Sequence, residues 1–139
     1  MPAGFTLAES LVALVVMGIV LAIGLPRLGT LRDAAAVRAA TTEVESAIAT
    51  ARQLAIARRR RVAVRVDALR GTAAVFAQRD TFQLRRLRER HHVTVRATRD
   101  SIAFTPLGLG YGAANTSIIV ARGQFEDTVV LSRLGRMRQ

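Results

Sequence analysis

The sequence FTLAESLVALVVMGIVLAIGL, from Phe5 to Leu25, decides the fold of this chain. Nearly all of its side chains are apolar, and Glu9 is its one charged residue. At 1.5 Å per residue, a helix over this stretch is about 31 Å long, which matches the hydrocarbon core of a bilayer. The stretch therefore predicts a membrane-spanning helix.

The residues on either side of this run favour an anchor over a cleaved secretory signal peptide. A signal peptide normally has a basic start, a shorter apolar run and a small-residue cleavage site after that run. Here no basic residue precedes the run, and Arg27 follows it almost at once. We therefore expect the apolar helix to be retained.

Glu9 lies about one helical turn into the apolar run. An ionised acid at membrane depth costs about 2.5–3.5 kcal/mol on insertion scales, so it usually has a partner. The run itself contains no basic side chain. Two interpretations are open: Glu9 pairs with the amine of a second copy cut just before Phe5, or it lies close enough to the interface to reach water.

The order of residues from Gly4 to Glu9 resembles the processing site of type IV pilins and type II secretion pseudopilins. The resemblance implies that a prepilin peptidase removes residues 1–4 as a leader, cutting after Gly4, and methylates the new N-terminal Phe5. It implies that Glu9 neutralises the amine of a neighbouring subunit during fibre assembly. Pro26 matches a proline that kinks the helix in that family.

After Pro26 the apolar residues recur mostly at spacings of three or four, and no Gly or Pro occurs between Thr30 and Arg61. This pattern predicts one long helix from about Phe5 to Arg58, bent near Pro26, because an interior proline removes a helix hydrogen bond. We expect the second half of the helix to lay an apolar stripe on a small sheet.

From Arg61 onwards the apolar pattern changes to a period of two, which is typical of strands. An anchor helix followed by antiparallel strands is an α+β arrangement. The predicted domains are a leader (1–4), a transmembrane and assembly helix (5–26), the rest of the long helix (27–60) and an antiparallel sheet domain (61–139). The predicted strands are 61–66, 72–78, 93–96, 101–104, 117–121 and 128–132, with a Gly-rich loop at 106–112.

The segment Phe104-Thr105-Pro106-Leu107-Gly108, followed by two strands and a closing Gly-Arg, is similar to the GspH/FimT family of minor pseudopilins. The resemblance implies a type IV pilin-like fold and a minor subunit of a type II secretion pseudopilus or a type IV pilus. It implies an inner-membrane, single-pass precursor with a periplasmic domain. Its implied partners are other pilins or pseudopilins in a helical fibre, the prepilin peptidase and the inner-membrane assembly platform.

The net charge of +11, with 21 basic residues that are all Arg, points to an anionic partner or to a soluble basic surface. Gly135-Arg136-Met137-Arg138 is similar to the GRxR motif of DNA-binding FimT-type pilins, which serve natural transformation. In an extended tail Arg136 and Arg138 lie on one side and suit successive phosphates. Arg133 and Arg122 are candidates to extend this patch. The alternative is a solvated tail.

Two further arginine groups have simpler interpretations. The run from Arg58 to Arg61 is interpreted as a helix cap, with a second phosphate-contacting patch as the alternative. The arginines between 85 and 90 predict an exposed loop or edge strand. Because the chain has one Tyr, five Phe and no Trp, any nucleic-acid binding should be driven by phosphate contacts and should depend steeply on salt.

No pattern in the sequence predicts an enzyme, a metal site or a cofactor. His91 and His92 are adjacent, so on a strand they face opposite ways and do not form a joint metal site. The chain has no Cys, and its Gly-rich loop lacks the Gly-Lys-Ser/Thr of a P-loop. Paired carboxylates at a useful spacing are also missing from the sequence.

Overall fold

The computed structural model describes residues 6–111, 115–132 and 136–138, apart from the side chains of Leu25 and Pro26. The chain separates into two compact units, Met1–Arg32 and Asp33–Gln139.

Helix α1 covers Leu7–Ala57, which confirms the predicted long helix. In the first unit its large apolar side chains are exposed, from Leu7 to Leu31. An 18-residue window of α1 has a mean hydropathy of 2.4 and none of it is buried, so the helix is long and apolar enough to cross a membrane. Position 26 belongs to α1, and the bend expected there stays a prediction.

In the second unit the same helix carries a buried stripe. Its members recur three or four residues apart, because that spacing returns side chains to one helical face. They are Val37, Ala40, Val44, Ala47, Ile48, Ala51 and Ala55. Most of these side chains are small, so the strands pack close to the helix axis. The predicted apolar stripe is confirmed from Val44 to Ala55, whereas Leu28, Leu31 and Ala35, which share its spacing in the sequence, are exposed.

The strands form two antiparallel sheets. The five-stranded sheet has the order β3-β2-β1-β5-β6, and the four-stranded sheet has the order β4-β7-β8-β9. A short helix, α2 (Leu87–His91), follows β3. The strands are β1 Val62–Asp67, β2 Thr72–Ala77, β3 Asp80–Arg86, β4 Thr94–Ala97, β5 Ser101–Phe104, β6 Gly110–Tyr111, β7 Thr116–Arg122, β8 Phe125–Leu131 and β9 Met137–Arg138.

The two sheets and α1 share one hydrophobic core. Buried side chains alternate along β1 and β7, with Val62, Val64 and Val66 on one strand and Ile118 and Val120 on the other. This alternation is the period of two seen in the sequence. The largest fully buried side chain is that of Phe104 on β5.

The sheet domain differs from the prediction in the elements of its edges. We expected one small sheet, and the structure has two, with β3, β6 and β9 added at edges. Strand β3 is irregular because its register with β2 shifts between Val75 and Phe76. Of the two alternatives expected for the arginines between 85 and 90, an exposed loop or an edge strand, the edge strand is correct for Arg85 and Arg86. Arg88 and Arg90 belong instead to α2.

The Gly-rich loop after β5 packs directly on the end of α1. Gly108 has φ +74°, and a Cβ built on it would lie 2.8 Å from Cδ1 of Ile56. Its N–H donates to the carbonyl of Thr105 at 2.8 Å. Glycine is therefore required here by both the backbone conformation and the close approach of α1.

Candidate functional site

The first candidate site is the start of α1, where Thr6 and Glu9 form a capping box. Glu9 Oε2 accepts hydrogen bonds from the N–H of Thr6 at 3.1 Å and from its hydroxyl at 3.0 Å. The N–H of Glu9 donates back to Thr6 Oγ1 at 3.3 Å. Thr6 and Glu9 thus satisfy two of the free N–H groups of the helix start.

The capping box gives Glu9 a structural partner that the sequence reasoning missed. The spacing Thr-x-x-Glu before an apolar run is a known signature of this cap, so the sequence contained the information. No hydrogen bond to Glu9 Oε1 is made by the residues that the structure describes. Gly4 and Phe5, the predicted processing residues, lie outside the described residues.

The second candidate site is the C-terminal strand. Arg136 and Arg138 are exposed, and β9 is the edge of the four-stranded sheet, paired to β8 through Val130 and Leu131. Between the two arginines, Met137 lines a cavity of about 310 Å³ together with α1 residues from Ile48 to Ile56. Alternation along the extended chain therefore directs both arginines away from α1. Arg133 lies outside the described residues.

Arg122 does not join these two arginines. It is aligned with Phe125 at one end of β8, whereas Arg138 is aligned with Val130. Five residues of strand, or about 17 Å, separate the two positions. The guanidinium of Arg122 instead contacts Asp33 Oδ1 at 2.7 Å and donates to the carbonyl of His91 at 2.6 Å.

His91 and His92 are separated by the backbone conformation. His91 is the last residue of α2, and His92 follows it in the left-handed conformation with φ +53°. His91 Nε2 lies 3.1 Å from Glu43 Oε1 on α1, and Arg90 Nη1 donates to the same oxygen at 3.1 Å. Within the described ranges no three His, Cys, Asp or Glu residues are grouped as metal ligands would be.

The environment of Glu43 favours its charged form. The partial burial of Glu43 raises its pKa. The hydrogen bonds with His91 and Arg90 and the charge of Arg90 lower the pKa by more than burial raises it. The net result is a pKa below the ordinary value. Glu43 therefore acts as an acceptor that holds α2 on α1.

The arginine run after α1 forms the end of the helix. The N–H of Arg60 donates to the carbonyl of Ala55, and that of Arg59 to Ile56, which is the pattern of a Schellman motif. Arg59 has φ +48°. The guanidinium of Arg58 lies 4.4 Å from the ring centre of Phe82.

The comparisons with known proteins agree with this architecture. The family model described as "Type II transport protein GspH" matches residues 40–135, which is more than half of the chain. The model described as "Prokaryotic N-terminal methylation motif" matches residues 2–25. No curated protein shows significant sequence similarity to the chain.

Two solved structures are similar in fold. Both are crystal structures of the type IV minor pilin FimU of Pseudomonas aeruginosa (strain PAO1), in two crystal forms. One has a TM-score of 0.64 and covers 73% of this chain and 86% of that chain at 13% identity. The other has a TM-score of 0.62 and covers 73% and 90% at 13% identity. The chain thus has the type IV pilin fold, with a long N-terminal helix followed by an antiparallel sheet domain.

Proposed function

This chain belongs to the family of the type II transport protein GspH, and from this premise we propose that it is a minor pseudopilin that serves protein secretion. It is a structural subunit of a fibre rather than an enzyme. The observation that carries the proposal is the presence, in one chain, of the GspH match over residues 40–135 and the methylation motif over residues 2–25.

Assembly is proposed to begin with processing at Gly4. A prepilin peptidase cuts after Gly4 and methylates the amine of Phe5, and the apolar helix then packs among the helices of other subunits. Glu9 meets the amine of a neighbour. The capping box leaves Glu9 Oε1 without a hydrogen bond among the described residues, so one oxygen stays available while the other holds the helix start.

We propose a membrane-anchored precursor for the stage before assembly. Residues 5–26 span the inner membrane, and residues 27–60 and 61–139 form the periplasmic part. The exposed apolar side chains between Leu7 and Leu31 support this proposal, because an apolar surface of that size is rarely left exposed to water and marks a membrane or protein contact. The inner-membrane assembly platform then transfers the subunit into the pseudopilus.

The processing step is tested by coexpressing the full chain with a prepilin peptidase and measuring the intact mass. We expect a chain that begins at N-methylated Phe5. The Gly4→Val variant is the control, and we expect it to keep its leader. A wild-type chain that keeps residues 1–4, in cells where a known pseudopilin is processed, would contradict the proposal.

The secretion role is tested by deleting the gene in its own host. We expect the exported proteins of the type II system to remain in the periplasm and to be released again when the wild-type gene is restored. Normal secretion together with a loss of pili or of transformation would reject the secretion role and leave the pilus role.

A second candidate function is DNA binding by a minor pilin that serves uptake in natural transformation. The observation that favours it is the exposure of Arg138 on the edge strand β9 and of Arg136 just before that strand. Both guanidiniums suit phosphates, so binding would be independent of sequence. We would measure DNA affinity of the full chain in zwitterionic nanodiscs over a salt series. If Arg136→Ala/Arg138→Ala binds as the wild type does, the tail is only a solvated surface.

A further inference from the structure

We infer that the end of α1 and the adjoining end of the five-stranded sheet form a binding site for a linear phosphate polymer. The site is separate from the tail arginines and goes beyond the proposed secretion function. We call it the basic rim. Its members share one end of the sheet, and they are Arg58, Arg59, Arg60, Arg61 and Arg79.

The register of the sheet gives the extent of the rim. At this end Ala77 of β2 is aligned with Asp80 of β3, and Val62 of β1 is aligned with Phe104 of β5, which in turn faces Gly110 of β6. From β3 to β6 there are four strand spacings, or about 19 Å. A single strand that follows the rim over this length can contact several of its arginines in succession.

The charge of the rim is mostly unopposed. Asp80 pairs with Arg60 at 3.8 Å, and no other acid within the described ranges forms an ion pair with a rim arginine. Four of the five arginines are exposed, and Arg60 is half-buried. Elsewhere in the described unit, Arg90, Arg96 and Arg122 each have an acid partner within about 3 Å, so the charges of these three arginines are offset locally, whereas most of the rim charge is not.

Two aromatic rings lie next to three of the five guanidiniums of the rim. Arg58 and Arg60 lie 4.4 and 5.7 Å from the ring centre of Phe82, and Arg61 lies 3.8 Å from that of Tyr111. A guanidinium stacked on a ring is restricted in motion, yet its N–H groups at the edge stay free to form paired hydrogen bonds with a phosphate. Its outer face also remains open to a base.

Arg59 lies at the end of α1 in a conformation that favours glycine. Arg59 occupies the left-handed position of the Schellman motif, with φ +48°. Glycine is the residue usually found at this position, because a Cβ is disfavoured in the left-handed conformation. The exposed side chain of Arg59 adds a charge to the rim.

The tail lies near the same end of α1 but is a distinct group. Met137 of β9 lines a cavity with Ile56, two residues before Arg58. A binding test must therefore separate the two groups. The rim variant Arg58→Gln/Arg59→Gln/Arg61→Gln removes three charges from the rim. The matched control Arg38→Gln/Arg70→Gln/Arg85→Gln removes three charges elsewhere.

The first experiment measures the anisotropy of a labelled, mixed-sequence single-stranded 20-nucleotide probe with the full chain in zwitterionic nanodiscs. With 50–200 mM NaCl, we expect the rim variant to bind at least about tenfold more weakly and to lose about two units of salt slope. The control triple variant should lose less than about threefold. Equal losses in the two triple variants would overturn the rim, as would a loss confined to Arg136→Ala/Arg138→Ala.

The second experiment competes the bound probe with inorganic polyphosphate of matched charge. Competition as strong as that of unlabelled oligonucleotide assigns recognition to phosphate alone, and weaker competition adds base stacking to it. Probe binding that polyphosphate does not disturb would overturn the assignment.

The third experiment substitutes the residue in the left-handed conformation. Arg59→Gly should raise the melting temperature by a few degrees and weaken binding, because it relieves the strain of the backbone and removes a charge. A variant that is stabilised and still binds fully would overturn the role of Arg59.

Discussion

Ile19 and Ile48 belong to the same helix and have opposite surroundings. Ile19 is 57% exposed in the first unit, and Ile48 is 1% exposed under the strands of the second unit. The first half of α1 is apolar around its whole circumference, whereas the second half is apolar on one stripe. The second half of α1 is therefore stabilised by packing inside its own chain, whereas the first half needs a bilayer or the helices of neighbouring subunits to cover its apolar side chains.

The largest expected effect concerns the one charged residue in the apolar half. We predict that Glu9→Ala reduces incorporation into sheared fibres by about 100-fold. In the proposed pairing the neighbour's amine would lose its acid, and an unpaired charge at membrane depth costs about 2.5–3.5 kcal/mol. Quantitative immunoblots of the fibre fraction measure this. Unfolding of the second unit should not change.

Glu9→Gln separates assembly from capping. Glutamine keeps an oxygen acceptor for Thr6 but carries no charge, so we expect it to fail in assembly as Glu9→Ala does. If Glu9→Gln enters fibres normally, the capping box, and not the charge, is what assembly needs.

The next effect compares one substitution at the two isoleucines. Ile48→Ala should lower the free energy of unfolding by about 2–5 kcal/mol, because it removes buried methylene groups and leaves a cavity. Ile19→Ala should change it by less than about 0.5 kcal/mol. Urea unfolding of the full chain in detergent, followed by circular dichroism, compares the variants. Equal destabilisation would mean that Ile19 is packed within the chain after all.

Much of the second unit, in which α1 is covered by strands, could be predicted from the sequence, because the patterns that specify its helix and strands lie within short stretches of chain. The absence of Gly and Pro from residues 31–60 and the three-or-four spacing predicted the helix, and alternation predicted most strands. For the arginines of β3 the sequence left open an exposed loop or an edge strand, because the bulge in this region breaks the alternation of apolar residues. The division into two sheets depends on which strands pair across long stretches of sequence, and the local pattern of residues does not specify that pairing.

The candidate sites divide in the same way. The Thr6–Glu9 cap lies within four residues and is visible in the sequence. The ion pair of Arg122 with Asp33 joins residues far apart along the chain, so Arg122 was placed in the tail patch by charge alone. Stacking of Arg58 on Phe82 was equally hidden, since it needs the register of β3 against the end of α1.

The pair of Asp33 and Arg122 holds the first residue of the second unit to β7, and its loss should have a moderate effect. Both side chains are about one third exposed, so we expect Arg122→Met to destabilise the unit by about 1–2 kcal/mol, with part of it from the bond to the His91 carbonyl. Arg96→Met is the control, because its pair with Glu126 is more exposed, and should cost less than about 0.5 kcal/mol.

The smallest expected effect is the pH dependence contributed by Glu43. Its pKa is lowered on folding from an ordinary value of 4.5, so the unfolded chain takes up a proton first as the pH falls. The stabilisation is therefore complete above the unfolded pKa and is lost as the pH falls through the folded pKa. Urea unfolding at pH 7 and at successively lower pH should show a steeper loss for the wild type than for Glu43→Gln. Parallel curves would mean that His91 and Arg90 hold the second half of α1 without using the charge of Glu43.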